Sequence, residues 1–187
     1  MDRKIILAST SPRRRELLSK MGLAYTLRPR PTDEGVEAPP REAVAILAER
    51  NARAAAQGLD QGLVLGADTL VSLDGKALGK PRDAREAAEM LAALSGRAHQ
   101  VFTGVCLLDA ATGRCQLAVE ETNVRFRTLS GAEIAAYVQT GEPMDKAGAY
   151  AIQGGAGKFV EALEGSFENV MGLPIQRLRE MLSKMED

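Results

Sequence analysis

The sequence predicts an α/β domain built on a mixed, twisted sheet flanked by helices. Three observations carry that reading. Short apolar runs alternate with stretches whose apolar residues recur at helical spacing. Capping residues open several of the helical stretches, and glycines close them. Two long strand-like segments, 97–109 and 114–128, are joined only by a turn at Thr112-Gly113, which places a hairpin in an otherwise alternating chain. At 187 residues the chain suits one domain, 1–187.

Lys4 to Ala8 is short and apolar and reads as a buried strand. It runs through Ser9, Thr10 and Ser11 into Pro12 and a helix from Arg13 to Met21. Proline suits a first helical turn because its missing N–H has no intrahelical partner there. Gly22 stops that helix, Tyr25 to Arg28 reads as a second strand, and Pro29 to Pro40 as an irregular acidic loop. Glu42 to Gln57 carries Val44, Leu47, Ala48, Ala52 and Ala55 at helical spacing. Leu63 to Ala67 is the clearest strand; Asp68 sits at its end, and Thr69 to Leu73 continues extended to the turn signal Asp74-Gly75. Asp83 to Leu94 and Ser130 to Gln139 are helices, each with an acid three residues after its cap. Gly148 to Gly157 is glycine-rich, Lys158 to Leu163 a strand, Gly165 to Pro174 a loop, and Leu173 to Met185 a closing amphipathic helix.

Hydrophobic residues make up 45% and charged residues 26%, the balance of a soluble globular protein. A net charge of -1 and 4% aromatics argue against generic binding to nucleic acid or an anionic membrane. The apolar run from Ile5 is too short for a secretory leader, and no run approaches a membrane span, so cytoplasmic residence is expected. Cys106 and Cys115 fit no zinc spacing and read as reduced thiols, although a strand pair would bring them close. His99 is the only histidine, which excludes a His-based triad and a multi-His metal centre; in a strand it reads as structural. Gly154 to Lys158 and Gly75 to Lys80 imitate a phosphate loop, but Phe159 and Pro81 follow where Ser or Thr is needed.

Five segments carry chemistry. In Ser9-Thr10-Ser11-Pro12-Arg13-Arg14-Arg15 a strand ends, hydroxyls follow, and a helix opens with three guanidinium groups. A helix N-terminus offers unpaired N–H groups and partial positive charge, and arginine adds a fork that matches phosphate oxygens. That is an anion site at the C-terminal end of a strand, where α/β sheets bind ligands. Gly66-Ala67-Asp68-Thr69 puts a carboxyl at the edge of an apolar strand, placed to take a proton from water or to hold a divalent cation. Gly79-Lys80-Pro81 offers a lysine in a rigid loop. Asp145 to Gly154 combines small residues, which let backbone approach a ligand, with Lys146 for phosphate and Gln153, whose carboxamide both donates and accepts. Asn169 and Gly172 lie in the loop before the last helix and suit a pocket wall.

Taken in order, these segments resemble the Maf family of nucleoside triphosphate pyrophosphatases. The resemblance rests on Ser9 to Arg14, Asp33-Glu34, Ala67-Asp68-Thr69, Gly79-Lys80-Pro81, Leu94-Ser95-Gly96, Phe126-Arg127, Asp145 to Gly148, Ile152-Gln153-Gly154 and Val170 to Pro174, nearly the whole chain. It implies two lobes around a central cleft, a homodimer, and a divalent metal cofactor (Mg²⁺, Mn²⁺ or Co²⁺). It implies Asp68 as the proton acceptor, Arg13, Thr69 and Gln153 as substrate-specificity positions, and Asp68 with Glu34 as metal carboxylates. Ser9, Ser11, Arg14, Lys80 and Lys146 become the phosphate-binding set. The Asp-Lys-Ala-Gly and Ile-Gln-Gly pattern resembles the branch acting on dTTP and UTP; the 7-methyl-GTP branch tends to carry Cys at the Lys146 position and Glu at the Gln153 position. The chain departs from the family at Asn51, where a lysine is usual, with Arg50 and Arg53 as nearby substitutes. Rival readings are a phosphatase or kinase on the same basic loop and a non-enzymatic regulator of septum formation.

Overall fold

The computed structural model describes residues 5–186, the last for its backbone alone, so Lys4, assigned to the first strand, lies outside the described residues. Seven strands form one sheet, β1 (Ile5–Leu7), β2 (Tyr25–Leu27), β3 (Leu63–Leu73), β4 (Lys76–Leu78), β5 (Ala98–Asp109), β6 (Cys115–Phe126) and β7 (Val160–Glu164). Their order is β2-β1-β3-β5-β6-β7, with β4 also paired to β3. β1 runs parallel to β2 and β3, and the remaining pairs are antiparallel, so the sheet is mixed as predicted. Among the described residues six α-helices accompany it, α1 (Pro12–Lys20), α2 (Pro40–Ala56), α3 (Ala84–Leu94), α4 (Gly131–Gln139), α5 (Phe167–Met171) and α6 (Ile175–Glu186). Helix α5 stands where the sequence reads as loop, 3₁₀ turns form over Glu142–Asp145, Ala147–Ala149 and Gly155–Phe159, and the last of them takes Lys158 and Phe159 from the strand expected over Lys158 to Leu163. They are too short to show a periodicity.

Alternation along the strands sorts the core. Leu63, Leu65 and Ala67 of β3 and Val105 and Leu107 of β5 join the main cluster with Leu17 and Leu18 of α1, Leu91 and Leu94 of α3, and Leu178 of α6. Val64, Cys106 and Leu108 face the other way and pack with Ala48, Ala52 and Ala55 of α2. On that face two glycines admit the helix. A Cβ at Gly66 would lie 2.2 Å from the Ala48 carbonyl oxygen, and one at Gly104 2.1 Å from that of Val44. Both obstacles are backbone, which cannot swing aside. Gly104→Ala therefore overpacks the α2–sheet interface and costs about 1–3 kcal/mol, read as a lower urea midpoint with unchanged slope.

Cys106 and Cys115 are free thiols with their sulfurs 3.0 Å apart across β5 and β6. His99 is fully buried, bonded at 2.7 Å to the Tyr150 hydroxyl, and its pKa is driven down to about 4 by burial. It is a neutral core residue, as the sequence suggests.

One feature of the pairing positions the site. β1 pairs with β3 only through Leu65, and β4 takes up the same edge again at Val71. Between them, Gly66 to Leu70 has no strand partner on that edge, while β5 pairs along the other. Asp68 is the midpoint of the gap and faces Gly104 across the β3–β5 pair.

Candidate active site

The gap opens into a cleft of about 800 Å³. Its walls come from the β1–α1 connection, the loop after β2, the middle of β3, and the segments around residues 145–153 and 170–172. The residues expected to act in catalysis, specificity, phosphate binding or metal binding all line it, namely Ser9, Ser11, Arg13, Arg14, Glu34, Asp68, Thr69, Lys80, Lys146 and Gln153, whereas Asn169, expected on a pocket wall, does not. Arg15, the third arginine of the basic run, does not.

Ser11 caps α1, its hydroxyl oxygen accepting from the Arg14 amide at 3.5 Å. Buried Ser9 accepts from the Ser11 amide at 3.2 Å and from Arg14 Nη1 at 3.1 Å. Arg14 also donates Nε–H to the Gly172 carbonyl at 2.8 Å and Nη2–H to Thr69 Oγ1 at 3.2 Å. Three of its five N–H groups are thus spent on holding three walls together, and two remain. Burial lowers its pKa and neighbouring Asp68 raises it, so each charge supports the other. Arg13 spends only Nε–H, on the Met171 carbonyl at 3.2 Å. Its terminal nitrogens bond to nothing among the described residues, so it offers the freer fork. Burial is again the main influence on its pKa, opposed by Asp145 and Glu142.

Thr69 sits in a directed chain. Thr103 Oγ1 donates to the Asn169 carbonyl at 3.0 Å, which uses its only proton. Thr69 must therefore donate to Thr103 at 2.9 Å while accepting from Arg14. Fully buried Asn169 ties α5 to the sheet through Val101 and Thr122. It is structural, whereas Gly172, at the end of α5, lines the cleft.

Asp68 is the electrostatic centre. Its pKa is pushed up from 3.8 to about 6, first by burial, against the pull of Arg14, with Glu34 raising it further and Lys80 lowering it. Asn51 accepts from Thr32 Oγ1 at 2.7 Å and donates to the Ala67 carbonyl at 3.4 Å, tying the loop after β2 to β3. Neither Arg50 nor Arg53 lines the cleft beside it. Arg50 donates to the Asp33 and Gly35 carbonyls, and Arg53 pairs with Glu49 on the helix surface. Lys146, on the cleft wall, pairs with Asp145, and Gln153 is exposed to the cleft at the tip of the turn after Ile152. Sequence reasoning missed Arg30, Thr32 and Tyr150 among the lining residues. The first two lie in an irregular loop, and the third is brought to the wall by its bond to buried His99.

No group of three or more His, Cys, Asp or Glu that could hold a metal occurs among the described residues. Asp68 and Glu34 line the same cleft and Glu34 raises the Asp68 pKa, and Mg²⁺ is usually held by one or two carboxylates completed by phosphate oxygens and water. The donor set fits such an ion once a phosphate ligand is present.

Cationic donors at one helix N-terminus and an ionisable carboxyl at a strand edge line one cleft, and together they define an α/β protein with an anion-binding site. Comparison with known proteins then fixes the kinship. The model of the Maf-like protein family matches residues 4–185, and the chain belongs to that family. It is 50% identical to the dTTP/UTP pyrophosphatase of Pelotomaculum thermopropionicum over 97% of this chain and 96% of that protein. The enzyme of the same name from Moorella thermoacetica is 50% identical over 96% of this chain and 94% of its own length. That of an Anaeromyxobacter species is 52% identical over 97% and 89%.

Proposed function

We propose that the chain hydrolyses dTTP and UTP to the nucleoside monophosphate and pyrophosphate. The observation that carries the reading is Asp68, a carboxyl with its pKa near 6 at the open edge of β3, facing Arg14 and Lys80. A general base works best when its pKa lies near the working pH. The triphosphate lies along Ser9 to Arg14, with the α1 N-terminus, Arg13 and Lys80 neutralising its oxygens. Asp68 takes a proton from a water whose oxygen attacks the α-phosphorus. The new P–O bond forms as the bond to the bridging oxygen breaks, and the charge left on pyrophosphate is met by the guanidinium groups. A divalent cation held by Asp68 and Glu34 would supply further neutralisation of phosphate charge.

Gln153 lines the cleft, and its carboxamide suits a pyrimidine edge that both donates and accepts. Lys146 and Gln153, in place of Cys and Glu, favour this reading over 7-methyl-GTP. The family reading also carries a homodimer. The test is a panel of nucleoside triphosphates with Mg²⁺, Mn²⁺ or Co²⁺. The expected result is pyrophosphate release fastest from UTP and dTTP. Release of single phosphate would place the chain among phosphatases, and a preference for 7-methyl-GTP would move it to the sister branch.

A further inference from the structure

The turn that carries Gln153 is held from both sides by groups outside the cleft. The Ala151 amide, two residues before Gln153, donates to the Tyr137 hydroxyl at 3.0 Å. The Gly155 amide, two residues after it, donates to the Glu142 carboxylate at 3.0 Å to Oε2 and 3.4 Å to Oε1. Burial, with the Glu142 carboxylate nearby, holds the Tyr137 phenol above its usual pKa. Two ties, a strap in two parts, thus flank the turn, Tyr137 at residue 151 and Glu142 at residue 155, with Gln153 midway between them.

The fit of the strap explains the residues beneath it. A Cβ at Gly154 would lie 2.1 Å from Glu142 Oε1, and one at Gly155 3.0 Å from Tyr137 Cε2. The Glu142 carboxylate occupies the space beside Gly154, and a side chain there would push it aside. Glu142 is placed for this by the Gly141 turn, where φ is 76°, and by its own amide, which donates to Thr140 Oγ1 at 3.2 Å. Neither Tyr137 nor Glu142 lines the cleft. Gly154 and Gly155 are exposed, so losing the strap lets water replace its bonds and leaves the turn loose rather than the fold broken.

We propose that Glu142, acting with Tyr137, is a positioning residue for nucleobase choice, clamping the turn that presents Gln153 to the base. The proposal rests on the reading that Gln153 recognises the base.

The test measures kcat and KM for UTP and for GTP in the wild type, Glu142→Ala, Glu142→Gln, Tyr137→Phe, Gly154→Ala and Gln153→Ala. In Glu142→Ala the UTP-to-GTP ratio of kcat/KM is expected to fall about tenfold, since a small misplacement of a recognising group costs that much or more. The loss falls on KM for UTP more than on kcat. Glu142→Gln keeps one acceptor oxygen and recovers part of the ratio, and Gly154→Ala, which displaces the carboxylate, loses it. Adding Glu142→Ala to Gln153→Ala produces no further loss, because both act through one contact. An unchanged ratio in Glu142→Ala and Tyr137→Phe, with a lowered one in Gln153→Ala, overturns the strap and leaves the base reading standing. An unchanged ratio in Gln153→Ala removes the base reading and the strap with it. Equal loss of kcat on both nucleotides makes Glu142 merely structural. If Glu142→Ala does not fold, Tyr137→Phe and Gly154→Ala decide.

Discussion

Asp68→Asn yields a folded protein that melts at a higher temperature than the wild type at pH 7 and releases pyrophosphate roughly 10²–10⁴-fold more slowly. Both effects have one cause. Folding moves the Asp68 carboxyl from its ordinary pKa of 3.8 to about 6, chiefly by desolvation. The protonated form is therefore favoured in the fold. The resulting cost to stability is absent below the unfolded value, grows as pH rises between the two, and is complete above about 6. A shift of that size corresponds to on the order of 2–3 kcal/mol. Asparagine carries no charge to desolvate, so the melting temperatures diverge at pH 7 and converge near pH 4. Activity moves the other way, since wild-type kcat/KM falls as pH drops through about 6 and protonates the base. A cation bound to the carboxylate moves this limb to lower pH, so the limb should shift as metal concentration rises. Thermal melts at the two pH values with a pH–rate profile check the argument. Near-wild-type turnover in Asp68→Asn would remove the residue from the mechanism, and a lower melting temperature at pH 7 would make the carboxylate structural.

Arg14→Lys is the second large effect. The charge survives, but the fork that reaches Ser9, Thr69 and Gly172 at once does not. A lysine ammonium on a flexible stem cannot meet three acceptors in one plane. Hydrogen bonds from charged groups contribute about 1.5–3 kcal/mol each, so losing one or two lowers kcat/KM by roughly a hundredfold or more and lowers the melting temperature as well. Arg13→Lys, with a single bond to Met171, should cost activity while leaving the melting temperature within a few degrees. Steady-state kinetics and melts on the pair separate the two roles. Equal melting temperatures for both variants would show that Arg14 is no tie between the walls.

The order of strands and helices was legible because apolar runs, caps and stops agree along the chain. Ser130 with Glu133 does form a capping box, and Asp83 does cap α3. What stayed hidden was pairing. Nothing in Leu63 to Leu73 says that β1 leaves its edge at Leu65 and β4 returns at Val71, yet that gap is what exposes Asp68. The candidate catalytic and phosphate-binding side chains are visible as residue types at strand and helix ends. Their supports are not, because contacts such as Thr32 with Asn51 or Arg14 with Gly172 join residues far apart in sequence. Helix α5 was read as loop, although its cap Ser166 and its stop Gly172 were both in view; five residues give no period.

The central claim is that water attacks the α-phosphorus, with Asp68 taking its proton. Hydrolysis of UTP in ¹⁸O-labelled water, with the products separated and weighed by mass spectrometry, tests it most directly. The label is expected in UMP, with unlabelled pyrophosphate released. Label in pyrophosphate would place the attack on the β-phosphorus, and label in single phosphate would place it on the γ-phosphorus; either result would contradict the account.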